Sequence, residues 1–247
     1  MSITEPEELE GLRDAAYVVR LVLEAMKSHV QPGVTTAELD SVGAKVMLAN
    51  GAQSAPAKVY GFPGSCCISI NDEAVHGIPK RRAIQDGDLL KLDVTVEKNG
   101  YMADAAVTLA VGQVTPRRQR LIACAEQAFR NALLVARAGV RVREIGRAVE
   151  AEVVRQGFSV IRELGGHGIG RTIHEEPRVP NFYDRSASQA LEAGMVITIE
   201  PIISAGRGEA ALDKDGWTIR TADRSPSAHY EHTIVVTEGA ALVLTAA

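Results

Sequence analysis

Two stretches of the chain, Asp86-Gly87-Asp88-Leu89-Leu90-Lys91-Leu92-Asp93 and Ala193-Gly194-Met195-Val196-Ile197-Thr198-Ile199-Glu200, share one plan 107 residues apart (93 to 200). Each reads as a glycine turn feeding a hydrophobic strand that finishes in a carboxylate. An acid at the end of so apolar a strand is costly to bury unless something positive meets it. Its return at the equivalent place in a second half points to a shared cation.

The segments around these strands repeat as well. Apolar residues Leu9, Leu12, Ala16, Val19, Leu23 and Met26 recur at helical spacing from about Glu7 to His29, and Gln31-Pro32-Gly33 ends that helix. A second helix, with Thr36 as its N-cap, runs to Asn50-Gly51. After Pro116 the plan returns: a helix through Leu133, a break at Gly139 and a helix to Gln156-Gly157. Two copies of helix, helix, strand and hairpin, with no Pro- or Ser-rich linker, predict one pseudo-symmetric α+β domain over residues 1–247, its repeats spanning roughly 7–113 and 114–240.

The first half carries a strong hairpin signal: strand Leu89–Val96, turn Asn99-Gly100, strand Tyr101–Val111. With Asn99 and Gly100 as the two turn residues, Thr95 lies opposite Asp104, and Asp93 shares a face with Asp104 on the diagonal, within reach of a common ion. In the second half Glu200 has a partner in Glu231, on the strand Tyr230–Val236, which plays the part of Asp104. Four converging carboxylates repel one another unless cations neutralise them, and two divalent ions bridged by carboxylates would do so. A single Asp in a strand is more often a cap or a salt-bridge partner; the repeat-related set argues otherwise.

His167 lies in Gly165-Gly166-His167-Gly168-Ile169-Gly170, too rich in glycine for a helix. His76 and His174 each begin an H-x-x-P run, and Pro177 argues against a helical zinc-protease arrangement at His174. His29, His229 and His232 read as structural.

Composition bounds the rest. Hydrophobic content is 46% and aromatic content 4%, so aliphatic side chains must build the core. A net charge of −4 gives no case for nucleic acid or an anionic membrane. Arg117, Arg118 and Arg120 read as a solvated face at a helix start. The odd set Cys66, Cys67 and Cys124 suits a reducing cytosol rather than a disulfide framework. With no signal-like N-terminus and no membrane-length apolar run, the expectation is a soluble cytoplasmic protein.

Ser69-Ile70-Asn71, His76-Gly77-Ile78-Pro79, Asp93-Val94-Thr95, Gly166-His167-Gly168-Ile169-Gly170-Arg171, His174-Glu175-Glu176-Pro177, Thr198-Ile199-Glu200-Pro201 and Tyr230-Glu231-His232-Thr233 together resemble type I methionine aminopeptidases, in the order and spacing of that family. The resemblance implies the pita-bread fold and ligation of two divalent ions (Co2+, Mn2+, Fe2+ or Zn2+) by Asp93, Asp104, His167, Glu200 and Glu231. Asp104 and Glu231 would bridge the ions, Asp93 completing one site and His167 with Glu200 the other.

The resemblance further implies removal of the N-terminal Met of peptides and nascent chains, favoured when the second residue is small. Water between the ions would attack the first peptide bond, with Glu200 moving the proton, His174 donating to the oxyanion and His76 near the scissile nitrogen. Val59, Phe62, Cys67, Ile173 and Trp217 would line the methionine pocket with His76 and His174. Ala105-Ala106 stand where the family commonly has small hydroxyl residues. A monomer with transient ribosome association is expected.

Three rivals remain. Proline dipeptidases and aminopeptidase P usually carry a substantial N-terminal domain, whereas this chain enters the first repeat at once. Type II methionine aminopeptidases carry an insertion for which His167, Glu200 and Glu231 are too closely spaced. A non-catalytic binder on the same scaffold would have lost ligands, and all five are present.

Overall fold

The Glu8 carboxylate accepts from the N–H groups of Thr4 and Glu5 at 2.9 and 3.4 Å at the start of α1 (Pro6–His29), which buries Leu12, Ala16, Val19, Leu23 and Met26 along one stripe. These features come from a computed structural model that describes residues 1–246. In α2 (Thr36–Ala49) the cap is Thr35, one residue before the expected Thr36. A capping box needs Thr and Glu three apart, which Thr35 and Glu38 satisfy: the Glu38 N–H donates to Thr35 Oγ1 at 3.2 Å, and the Thr35 N–H to the Glu38 carboxylate at 2.8 Å. Thr36 turns inward instead and donates to the Lys80 carbonyl at 2.9 Å. A short helix not foreseen from the sequence, α3 (Ala55–Tyr60), is capped by Ser54 and ends at left-handed Gly61.

The hairpin forms in the expected register. Strands Leu89–Lys98 and Tyr101–Ala110 pair Thr95 with Asp104 and Lys98 with Tyr101. Asn99 and Gly100 supply the two positive φ angles, 51° and 81°, of the tight turn. Asp93 lies in the middle of its strand rather than at the end, because pairing continues to the turn. Glu200 does lie just past Val196–Ile199, where Pro201, lacking an N–H, ends the ladder.

The second half also opens on two helices. Helices α4 (Pro116–Val135) and α5 (Val142–Arg155) pack together and against the second half of the sheet, as α1 and α2 do in the first. Arg117, Arg118 and Arg120 are more than a solvated face: they donate to the carbonyls of Ala205, Gly87 and Gln156, tying the start of α4 to neighbouring turns.

The main sheet runs Gln53–Ser54, Leu89–Lys98, Tyr101–Ala110, Glu231–Val235, Val196–Ile199, Gly165–Gly168, Glu175–Pro180, every pairing antiparallel. The halves join where Tyr101–Ala110 meets Glu231–Val235, so the pseudo-two-fold passes between those strands. Threonine hydroxyls reinforce the seam: the Asp104 N–H donates to Thr233 Oγ1 at 2.9 Å, and that hydroxyl donates to the Asp104 carbonyl at 2.8 Å.

Alternation decides which face is which. Leu90, Leu92, Val94 and Val96 join α1 in one core, while Ile197, Ile199 and Ile234 join α4 in another. The intervening Lys91, Asp93, Thr95 and Glu97 must face away from the helices. That opposite, polar face holds the carboxylates. No helix among the described residues is long and apolar enough to cross a membrane.

Gly146, inside α5, allows the helix to lie against the end of the Glu175–Pro180 strand. A Cβ there would come within 2.1 Å of the Phe182 carbonyl oxygen and 2.6 Å of that of Pro180. Alanine should raise helix propensity by about 1 kcal/mol, yet Gly146→Ala should lower stability by about 1–3 kcal/mol through overpacking. Urea unfolding decides the sign: a stabilised variant would disprove this contact.

Candidate metal centre

Ala106 lies opposite Asp93 on one neighbouring strand and opposite Glu231 on the other, so these three residues form a row on the polar face. Asp104, two residues earlier, projects from the same side. Glu200 and Glu231 leave their ladder together, one residue beyond the His232–Ile199 pair. The methyl group of Ala106 thus lies between two acids. Hydroxyl contacts to the cluster come from Thr95, which donates to Asp104 Oδ2 at 2.8 Å, and from Thr198, which donates to Glu200 Oε1 at 2.8 Å. The sequence places Thr95 opposite Asp104 and each threonine two residues from a singled-out carboxylate, but it gives neither hydroxyl a partner.

His167 reaches the cluster because the pairing of Gly165–Gly168 with Glu175–Pro180 shifts register between Gly166 and Gly168, and such a bulge re-aims the residue inside it. Glycine is required on both sides. A Cβ at Gly166 would lie 2.4 Å from the Thr198 carbonyl oxygen, and one at Gly168 2.2 Å from that of Glu176. His167 Nδ1 lies 2.8 Å from the Gly168 carbonyl, which can only accept, so Nδ1 carries the proton. Nε2, with its free lone pair, faces Glu200 Oε1 at 3.5 Å. A histidine oriented by its other nitrogen in this way is typical of a metal ligand.

As a bare cluster, the four acids are strongly opposed to ionisation. Burial, then the neighbouring carboxylates, raise Asp93 and Glu231 well above the usual carboxyl range; for Glu200 the order is burial, then Asp104. Burial pushes Asp104 up to about 6. Among the described residues, Asp104 Oδ1 and Glu231 Oε1 are buried without a hydrogen-bond partner, each at a cost of about 1–3 kcal/mol or more for a charged group. Oxygen and imidazole donors of this kind suit a first-row divalent cation.

A cavity of about 430 Å3 opens over the cluster, lined by His76, His174, Phe62, Cys67, Ile173 and Trp217 among others. Phe62 and Trp217 meet edge to face, centroids 5.3 Å apart. Val59 is 42% exposed and outside the lining; Tyr60, the next residue of α3, forms the wall instead. On so short a helix, adjacent side chains point in different directions, and the sequence alone does not fix which points inward. Tyr60 stacks on His174 with its hydroxyl 2.7 Å from Nδ1.

His76 adopts φ 57°, rare for a residue with a Cβ. Gly77 follows it, where a Cβ would lie 2.3 Å from the Ile68 carbonyl oxygen. Ser69 supports this turn: the Gly77 N–H donates to Ser69 Oγ at 3.0 Å. Asn71 braces the start of the Leu89–Lys98 strand instead, its Oδ1 accepting from the Leu89 N–H at 3.0 Å.

Two of the three histidines read as structural are away from the cavity. His232 is held by Thr245 and Tyr230, and His29 caps its own helix turn on the Ala25 carbonyl. His229 departs from that expectation: it is buried beside Glu200 and Glu231 and lines the cavity.

Burial, then the nearby His174, lowers His76 to about 4. The unfolded chain, with an ordinary value near 6.5, takes up this proton first as pH falls. His76 therefore contributes stability that is full above about pH 6.5 and lost toward pH 4. Imidazole NMR should show His76 titrating near 4, and His76→Gln should flatten the fall of the urea midpoint across that window. Titration of His76 near 6.5 would contradict the burial described.

The sequence matches metallopeptidase family M24 (Peptidase_M24) over residues 10–238. It is 43% identical over 247 residues to methionine aminopeptidase 2 of Bacillus subtilis (strain 168), covering 99% of each chain. The methionine aminopeptidase of Escherichia coli (strain K12) is likewise 43% identical over 247 residues, covering 99% of this chain and 94% of its own. The crystal structure of methionine aminopeptidase from Rickettsia prowazekii superposes with a TM-score of 0.95 at 35% identity, covering 100% of both chains. The arrangement of paired helices and hairpins described above is accordingly the pita-bread fold. The chain belongs to metallopeptidase family M24 and, within it, to the methionine aminopeptidases.

Proposed function

We propose that this protein hydrolyses the first peptide bond of peptides and nascent proteins, releasing N-terminal methionine when the second residue is small. The observation that carries the reading is one buried cluster, Asp93, Asp104, His167, Glu200 and Glu231, beneath a cavity that also presents His76 and His174. Full-length similarity to methionine aminopeptidases supports the same substrate.

Asp93, Asp104, His167, Glu200 and Glu231 would hold two divalent ions, whose four positive charges balance four carboxylates. Bound there, they supply the acidity that lets water attack at neutral pH and the positive field that polarises the scissile carbonyl. Glu200 takes the proton released by the attacking water and delivers it toward the leaving amine. Its Oε1 is oriented by Thr198, and its backbone carbonyl is held by Asn181 Nδ2 at 2.8 Å. Burial raises the Tyr60 phenol pKa and keeps it protonated, so its hydroxyl donates to Nδ1 of His174. The Nε2–H of His174 is then the donor to the developing oxyanion. Burial also holds His174 below its ordinary pKa, favouring the neutral ring. His76, neutral in its cavity wall, positions the scissile nitrogen.

Phe62, Cys67, Ile173 and Trp217 form a soft, mostly apolar lining suited to a flexible thioether. The three cysteines are free, and burial raises their thiol pKa values, as expected of inert thiols in a reducing cytosol. There the protein would act as a monomer on chains leaving the ribosome, with only transient contact.

Glu200→Gln or His174→Ala should lower kcat on the order of 10²–10⁴-fold with the fold intact; wild-type turnover by metal-loaded His174→Ala would refute its role. Apo-protein reconstituted with Mn2+, Fe2+ or Co2+ should release free Met from Met-Ala-Ser and leave Xaa-Pro peptides uncut. Cleavage of Xaa-Pro alone would reassign the substrate, and cleavage of neither would favour a binder.

A further inference from the structure

Glu200 lies between two imidazoles. His167 approaches its Oε1, whereas His229 approaches its other oxygen: Nε2 of His229 lies 3.8 Å from Glu200 Oε2 and 3.3 Å from Glu231 Oε2. His229 is 2% exposed, and neither ring nitrogen has a hydrogen-bond partner among the described residues. Although 3.3 Å is short enough for a hydrogen bond to Glu231, the ring N–H direction does not meet that oxygen.

The backbone around His229 is firmly placed. Its N–H donates to Thr108 Oγ1 at 2.8 Å, and that hydroxyl donates to the His229 carbonyl at 2.8 Å. Strand Ser227–His229 pairs His229 with Ile202. Two residues on along an extended segment, Glu231 projects to the same side. An imidazole fixed at its backbone, sealed from water and without a hydrogen bond at either ring nitrogen among the described residues points to a ligand at the ring.

We propose that His229 is a further metal ligand, its Nε2 completing with Glu200 and Glu231 a site for a first-row divalent cation. This rests on the reading of the carboxylate cluster as a metal centre. Ligand atoms of Glu200, His229 and Glu231 all lie within 4.8 Å of one another. Donors about 2.0–2.2 Å from one ion are roughly 3.0–3.6 Å apart around it, a spacing that small side-chain adjustments reach from 3.3 and 3.8 Å. A second imidazole would give the centre more nitrogen character, favouring Co2+ or Zn2+ over Mn2+.

The test uses the full chain. In 15N-histidine protein loaded with 113Cd2+, both His167 and His229 should show 113Cd–15N coupling at Nε2; coupling at His167 alone overturns the proposal and leaves the metal centre standing. His229→Gln should weaken Co2+ binding by calorimetry at least about tenfold and change the visible Co2+ spectrum. Unchanged Co2+ affinity and spectrum in that variant would make His229 a packing residue. Failure of the wild type to bind any divalent ion would overturn the centre itself.

Discussion

Four carboxylates buried on one sheet face are the constraint on which the rest depends. Ionised together and unneutralised they would be strongly destabilising, so the fold must both hold them close and leave room for positive charge. Confining the helices to the opposite face meets the first need. Alternation then sends Leu90, Leu92, Val94 and Val96 toward α1 and leaves Asp93 and Thr95 facing the cavity. The seam between strands Tyr101–Ala110 and Glu231–Val235 meets the second: Ala106, between Asp93 and Glu231, contributes only a methyl group to the floor.

Around this symmetric cradle, the histidines proposed to act break the symmetry. His167 lies in a bulge that only flanking glycines permit, and His76 occupies a left-handed backbone position braced by Gly77 and Ser69. Each is held in a conformation that an ordinary strand would not adopt, a common arrangement where side chains must be aimed at a reaction. His174 is aimed differently, by the Tyr60 hydroxyl at its Nδ1. The carboxylate cradle forms across regular paired strands, whereas the histidines proposed to make it a peptidase centre lie in irregular segments.

Much of this was legible in the chain. Asn99-Gly100 between alternating strands predicts the hairpin and its register, and therefore the diagonal of Asp93 and Asp104. The two helix pairs follow from apolar periodicity and the breaks at Gly33 and Gly139. Other features were hidden for identifiable reasons. Thr35 rather than Thr36 caps α2 because the reciprocal bond depends on Glu38. Tyr60 rather than Val59 faces the cavity because α3 has too few residues for a periodic signal. Thr198 and Thr95 look like ordinary strand residues until their hydroxyls are seen against carboxylates.

His229 marks the boundary most sharply. In sequence it is one histidine beside an apolar strand, for which a structural role is the better expectation. In space its unpartnered ring faces Glu200 and Glu231. By itself, the sequence determined the two helix pairs, the hairpin register and the shared face of Asp93 and Asp104, because these depend on local periodicity and turn chemistry. Only the tertiary structure decided which hydroxyls, which aromatic wall and which additional imidazole reach them, because those contacts join segments far apart in the chain whose separation is set by packing.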